Sequence, residues 1–279
     1  MSWLLLACAE APDTGDGGTC SSSADSELVV VRTIELVIAD DAGLSEGFNL
    51  DGAVSTSGGS SGCGIGDYVS PGGVEGIDNN FSRLVPTLET TEAKVETIEG
   101  LIQSAIDSGE LLISFELGGV DSWENDECVS LSVGQATGDA MLGTDGLLLD
   151  GQTFDPDPGA PVTEADDGRI SDGTFTTTGV ATDIPAQILN AYLTLPIRSG
   201  AVSITPQGDD LYAGFLGGGV PTSYLQSVAE TENVDPVVAE LLGTVLSYNA
   251  DLDDPDEGEC KALSMTLAFD AVGAYWYAD

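Results

Sequence analysis

Short apolar runs with a period of two, each closed by Gly, Pro or Asp, constrain this chain more than any other feature. Leu111, Ile113, Phe115 and Leu117 fall on one side of an extended backbone, as do Val129, Leu131 and Val133. Near the end, Leu263, Met265, Leu267 and Phe269 alternate with Ser264, Thr266 and Ala268. A strand sends successive side chains to opposite faces, so each run buries one face and wets the other. Residues 27–38, ELVVVRTIELVI, are apolar on both faces and suit a strand covered on both sides. Further short strands are expected over 169–180, 192–197, 201–205 and 211–216. Regular spacing of this kind predicts a mainly β fold, an antiparallel sandwich or barrel-like sheet, and not a parallel α/β sheet.

Two or three helices should pack on that sheet. Phe81, Leu84, Val85, Leu88, Val95, Ile98, Leu101, Ile102, Ala105 and Ile106 recur at steps of three and four, with Gly109 as the residue past the C-terminus. Asp78 or Asn79 would cap this helix, and Pro86 and the pair Thr90 and Thr91 are places where it could break. A second helix is expected after Asp235 and Pro236, through Val237, Val238, Leu241, Leu242, Val245 and Leu246. Gly217, Gly218 and Gly219 carry neither Walker nor dinucleotide signatures and read as a tight chain reversal.

Charge then limits function. The chain has 48 Asp plus Glu against 6 Lys plus Arg, no histidine, and a formal net charge of −42. Such a surface repels nucleic acid and anionic headgroups, whose binding needs Lys and Arg against phosphate. Its self-repulsion calls for a salt-rich medium or bound divalent cations. Absence of histidine removes histidine-based acid/base catalysis, and the G-x-S-x-G match at 58–62 has no base to serve it. Carboxylate pairs are unavoidable with so many acids, and only Glu35 and Glu116, inside strands, could seed a useful one. The expectation is a protein without enzymatic activity.

Five cysteines point to an oxidising compartment. Leu5, Leu6, Ala7 and Cys8 match a lipobox, in which Cys8 would be lipidated, although the apolar stretch is short and no basic region precedes it; a leader starting upstream of Met1 would explain that. Residues 1–8 are accordingly expected to be a partial lipoprotein signal, 9–26 a flexible acidic tether, and 27–279 a single mainly β domain. Cys20, Cys63, Cys128 and Cys260 form an even set with three connectivities. Cys128 and Cys260 each begin a strand after an acidic loop, which favours pairing them and leaving Cys20 to Cys63.

Acidic turns supply the candidate metal ligands. Asp51, Asp67, Asp78 and Asn79 lie in three short turns within about thirty residues, and Asp251, Asp253 and Asp254 lie in the densest acidic turn of the chain. Such turns gather the oxygens that calcium requires. None reproduces the EF-hand loop pattern. Each also has a plain reading: Asp51 and Gly52 as a turn, 55–62 as a flexible loop.

The stretch 47–86 resembles a recurrent pattern in predicted exported lipoproteins of myxobacteria, a group without an assigned activity. The likeness is carried by Asp51 and Gly52, by Cys63 to Tyr68 (CGIGDY) and by Gly76 to Phe81 (GIDNNF). Leu195 to Arg198, Gly214 to Pro221 and Cys260 to Ser264 extend it. The resemblance implies secretion and a shared fold, and brings no catalytic residue. The expected function is a cell-surface lipoprotein with a structural or recognition role, calcium being its one expected cofactor and an extracellular partner or ligand its target. Contact with the membrane would come only through the lipid anchor. Two alternatives stand beside it. One is a carrier of an apolar ligand held between the sheet and the helices at 81–108 and 236–248. The other is a carbohydrate-binding sandwich presenting Trp123, Tyr192 and Tyr212 on one sheet face.

Overall fold

A computed structural model describes residues 26–89, 94–188, 191–231 and 236–277. Cys8, Cys20, Asp235 and the tether expected over 9–26 lie outside these residues, except Ser26, which opens the first strand.

In chain order the elements are β1 (Ser26–Leu36), β2 (Tyr68–Val69), β3 (Glu75–Ile77), α1 (Val85–Leu88), α2 (Val95–Asp107), β4 (Leu112–Gly118) and β5 (Asn125–Thr137). There follow β6 (Gln152–Pro156), β7 (Thr163–Ser171), β8 (Thr174–Ile188), β9 (Ala191–Gly208), β10 (Leu211–Pro221), α3 (Thr222–Thr231), α4 (Pro236–Asn249), β11 (Leu252–Asp254) and β12 (Gly258–Trp276). The mainly β expectation holds. Among the described residues, β1, β4, β5, β7, β8, β9, β10 and β12 pair antiparallel in that order, and β12 pairs back onto β1. The eight strands thus close an up-and-down ring, which leaves no long edge to template aggregation. β6 lies outside it, antiparallel to β5 and parallel to β12.

Alternation fills the ring from within. Val29, Val31, Phe115, Leu117, Val129, Leu131, Val133, Phe175, Val202, Ile204, Met265, Leu267, Phe269 and Ala271 belong to one buried cluster, with the rings of Phe115 and Phe269 stacked 5.0 Å apart. Eight strands give an interior that side chains can fill. β1 shows how both its faces come to be apolar. The register with β12 shifts between Val31 and Thr33, so the inward set runs Val29, Val31, then Ile34 and Leu36. Leu28 and Val30 point outward and are covered by Leu148 and Phe154. Beyond the bulge β4 no longer pairs with β1, and α2 takes its place: Glu99 accepts the Leu36 N–H at 2.8 Å and Gln103 donates to the Arg32 carbonyl at 3.0 Å. α2 also touches β8, across the ring from β1, so Val95, Ala105 and Ile106 join the lumen cluster.

Several boundaries differ from expectation. The helix anticipated from Phe81 is divided into a 3₁₀ turn over Asn80–Arg83, then α1 and α2. Asn79 precedes that turn without capping it, because its amide donates to the Val37 carbonyl and the Ser45 hydroxyl. Gly109 sits at φ +75 directly after the C-cap Ser108, as predicted. Gly217 to Gly219 do not reverse the chain but continue β10 to Pro221. The missing side chains make room for neighbours: a Cβ on Gly217 would stand 2.6 Å from the Phe48 ring, and one on Gly218 2.4 Å from Ile197.

Candidate functional site

The long excursion between β1 and β4 folds back over the outer wall of the ring at β12. Met265 and Leu267 face the lumen, so Ser264 and Thr266 face outward, and both are fully covered. Ser264 is the fastening point. Its hydroxyl accepts the Asn80 N–H at 2.7 Å and donates to Asp251, which also accepts the Ser264 N–H at 2.8 Å. The Asn80 amide reaches the Asn249 carbonyl at 2.8 Å. Excursion, α4 and β12 therefore meet in one polar knot.

Asp78 lies beside this knot and is 1% exposed. One of its oxygens, Oδ2, accepts the N–H groups of Leu50 at 2.7 Å and Asp51 at 3.3 Å. The other, Oδ1, has no hydrogen-bond partner. Burial pushes its carboxyl up to about 8; the Leu50 N–H opposes the rise, and the charges of Asp251, Asp51 and Asp67 add to it. Burial likewise lifts Asp251 to about 6 against the two hydrogen bonds from Ser264. Asp67 is raised by burial and by Asp51, and is held back by the Ser55 N–H and the Arg83 charge. Once protonated, Asp78 has Asp67 as its acceptor. Arg83 is otherwise committed: it donates to the Gly66 carbonyl at 2.6 Å and to the Asn80 amide oxygen, and lies 5.2 Å over the Tyr68 ring.

Two acidic turns almost two hundred residues apart in sequence are thus neighbours in space. Asp51, Asp67, Asp78 and Asp251 act on one another, and an open cleft of about 550 Å³ lined by Asp51, Ser61, Asp251 and Asp253 runs beside them. The remaining candidate ligands are placed differently. Asn79 uses its amide nitrogen on Val37 and Ser45, and its buried Oδ1 has no partner. Asp253 accepts the Cys260 N–H at 2.9 Å, and Asp254 accepts those of Asp256 and Glu257. Both hold the turn between β11 and β12. Ser55, read as the start of a loose loop, is 5% exposed and its N–H is bound by Asp67; its hydroxyl has no partner. Ser55 and Ser264 carried no signal beyond their place in an acidic turn and an alternating strand.

A disulfide locks the same junction. Cys63 is bonded to Cys260, not to Cys20, with Cα atoms 5.6 Å apart. The favoured pairing of Cys128 with Cys260 is therefore corrected: Cys128 is also disulfide-bonded, but not to Cys260. The local resemblance of the two strand starts misled, because the excursion carries Cys63 across the wall to β12. Cys63, Asp253 and Cys260 bring three ligand-type atoms within reach of one ion. Their sulfurs are bonded to each other, so this group offers no thiolate.

At the far end of the ring, Glu27 accepts the Trp123 indole N–H at 3.0 Å and the Tyr212 hydroxyl at 3.4 Å, and the two rings lie 6.0 Å apart. Burial and the Glu27 charge push the Tyr212 phenol up to about 12. Trp123 and Tyr212 are half-buried and packed on the lumen cluster, not laid out flat on a sheet face; the side chain of Tyr192 lies outside the described residues. Glu116 accepts from Ser26 and from the Trp276 indole. Glu35 lines a separate open cleft of about 460 Å³ with Thr33, Ser203 and Asp270. No helix among the described residues is long and apolar enough to cross a membrane. Compared with family models, with curated proteins and with solved structures, the chain shows no match.

Proposed function

We propose that this chain is an exported protein of the cell envelope whose rigid barrel serves a structural or recognition role, tethered through lipidated Cys8. The observation that carries the reading is covalent cross-linking: Cys63, Cys128 and Cys260 are all disulfide-bonded, and bridges of this kind persist in oxidising compartments. A lumen occupied by Phe115, Phe175 and Phe269 favours recognition on the outer surface over carriage of an apolar ligand. The resemblance to exported lipoproteins agrees with this.

Thiol trapping tests it. Cells producing the chain with its own leader are quenched in acid, and free thiols are labelled with a maleimide-polyethylene glycol before and after reduction. The reading expects Cys63, Cys128 and Cys260 to take label only after reduction, in the envelope or extracellular fraction. Labelling of all three without reduction, in the cytoplasmic fraction, overturns it.

A further inference from the structure

The junction on the outer wall of β12 combines many acids with polar atoms that the protein itself leaves unsatisfied. The Ser55 hydroxyl and, while its carboxyl is ionised, Asp78 Oδ1 are both deeply buried and lack a partner. Buried polar groups are almost always paired, so two orphans in one place call for an explanation. Both residues adjoin Asp67. The Ser55 N–H is bound by Asp67, the acceptor nearest Asp78, and a Cβ placed on Gly62 would stand 2.3 Å from the Ser55 hydroxyl and 3.7 Å from Asp51 Oδ2. Ser55 itself occupies the space that a side chain at position 62 would need, beside Asp51.

We propose that Asp51, Ser55, Asp67, Asp78 and Asp251 bind a divalent cation of the calcium class. Every donor is a hard oxygen. The chain has no histidine, and the nearest sulfurs are joined in the Cys63–Cys260 bridge, so softer transition metals find no preferred ligand. Calcium accepts irregular shells of six to eight oxygens from carboxylates, hydroxyls and carbonyls, whereas magnesium demands a near-octahedral one. The carboxylates do not yet stand within one shell: among the described residues the sole group that compact is Cys63, Asp253 and Cys260. The ion draws them together. Asp51 is exposed in a loop rich in glycine and serine, which can follow such a contraction, while Asp78 and Asp251 are fixed by the wall. Occupied, the site would add a further tie between the excursion and β12, beside the disulfide and the Asn80–Ser264 hydrogen bond. This inference does not depend on the envelope reading, because ion binding and thiol state are read separately.

The test is calorimetric titration of chelator-stripped full-length protein with calcium chloride and with magnesium chloride. Sodium chloride is held at about 0.5 M, where diffuse attraction is screened. One saturable calcium site is expected, with magnesium weaker. Asp78→Asn is expected to weaken calcium roughly tenfold or more, and Ser55→Ala several-fold, with Asp150→Asn, an exposed acid elsewhere, unchanged. Ser55→Ala removes a hydroxyl that holds nothing in the ion-free protein, so it reports on the site even if Asp78→Asn fails to fold. Equal affinity in Ser55→Ala and the parent, or calcium heats that do not saturate, overturn the proposal.

Discussion

Replacing Asp78 by asparagine removes a titratable group without changing shape, and its effect on stability should reverse the usual cost of a buried substitution. Asparagine retains an oxygen for the Leu50 and Asp51 N–H groups, and its amide hydrogens face the acids that surround Asp78. The parent side chain carries a penalty that depends on pH. Burial, with the charges of Asp251, Asp51 and Asp67, raises its pKa from 3.8 to about 8. The unfolded chain releases this proton near pH 4 and the folded chain near pH 8. Stability from the group is therefore complete below the lower value and is lost as pH climbs towards the higher one. Each unit of that interval corresponds to about 1.4 kcal/mol. Crossing from pH 4 to pH 7 gives an upper figure of about 4 kcal/mol, and relaxation of the exposed loop reduces the expected loss to about 2–3 kcal/mol. Asp251 and Asp67 titrate in the same direction, and Arg83 opposes the rise at Asp67; these contributions occur in both proteins and largely cancel in the difference. Urea unfolding at fixed ionic strength, with chelator present, measures it. The gap in favour of Asp78→Asn should be near zero at pH 4 and open to about 2–3 kcal/mol by pH 7.5. A gap that stays flat with pH, or a variant less stable than the parent throughout, would refute the reasoning.

Other perturbations address the scaffold. Cys63→Ser with Cys260→Ser opens a link across 197 residues; loop entropy sets a ceiling of about 5 kcal/mol, and a loss of about 3 kcal/mol, seen as a fall in Tm of roughly 10 °C, is expected by calorimetry. Phe115→Ala empties the stacked pair in the lumen and should cost about 3–5 kcal/mol in urea unfolding. Gly214→Ala puts a Cβ 2.1 Å from the Ser203 carbonyl oxygen and 2.5 Å from the Phe269 ring, so a loss of roughly 3 kcal/mol is expected. Gly100→Ala, in α2 with open space around it, should instead gain about 0.5–1 kcal/mol.

The alternating runs made the ring's strands legible, because the two-residue period is a direct record of which side meets the lumen. Closure was not legible. It depends on β12 pairing with β1 across more than two hundred residues, and no local pattern states that register. Gly217 to Gly219 differ from expectation for a related reason: glycine is a turn signal locally, but here it yields space to Phe48, which arrives from a distant segment, and to Ile197 of the paired strand β9. The acidic turns were visible as donors, yet their union was not. Asp251 meets Asp78 only because Ser264 points outward on β12 and binds the Asn80 N–H there. Asn79 is oriented by two hydrogen bonds from its amide nitrogen that sequence spacing does not encode, and its Oδ1 is left buried without a partner.

The position of the buried acids decides what an ion there can regulate. The lumen cluster is apolar throughout, and Glu27 at its end is held by Trp123 and Tyr212. Asp78 and Asp251 sit on the other side of the wall, under the excursion. Ion loss should therefore loosen the excursion and leave the ring intact, since none of the strand pairing passes through these carboxylates. Limited proteolysis separates the two responses. With chelator, cleavage within residues 50–62 should accelerate several-fold while far-ultraviolet circular dichroism stays constant. Accelerated cleavage inside β4 or β5 at the same rate would mean that the junction supports the barrel itself, and would contradict this division between wall and cover.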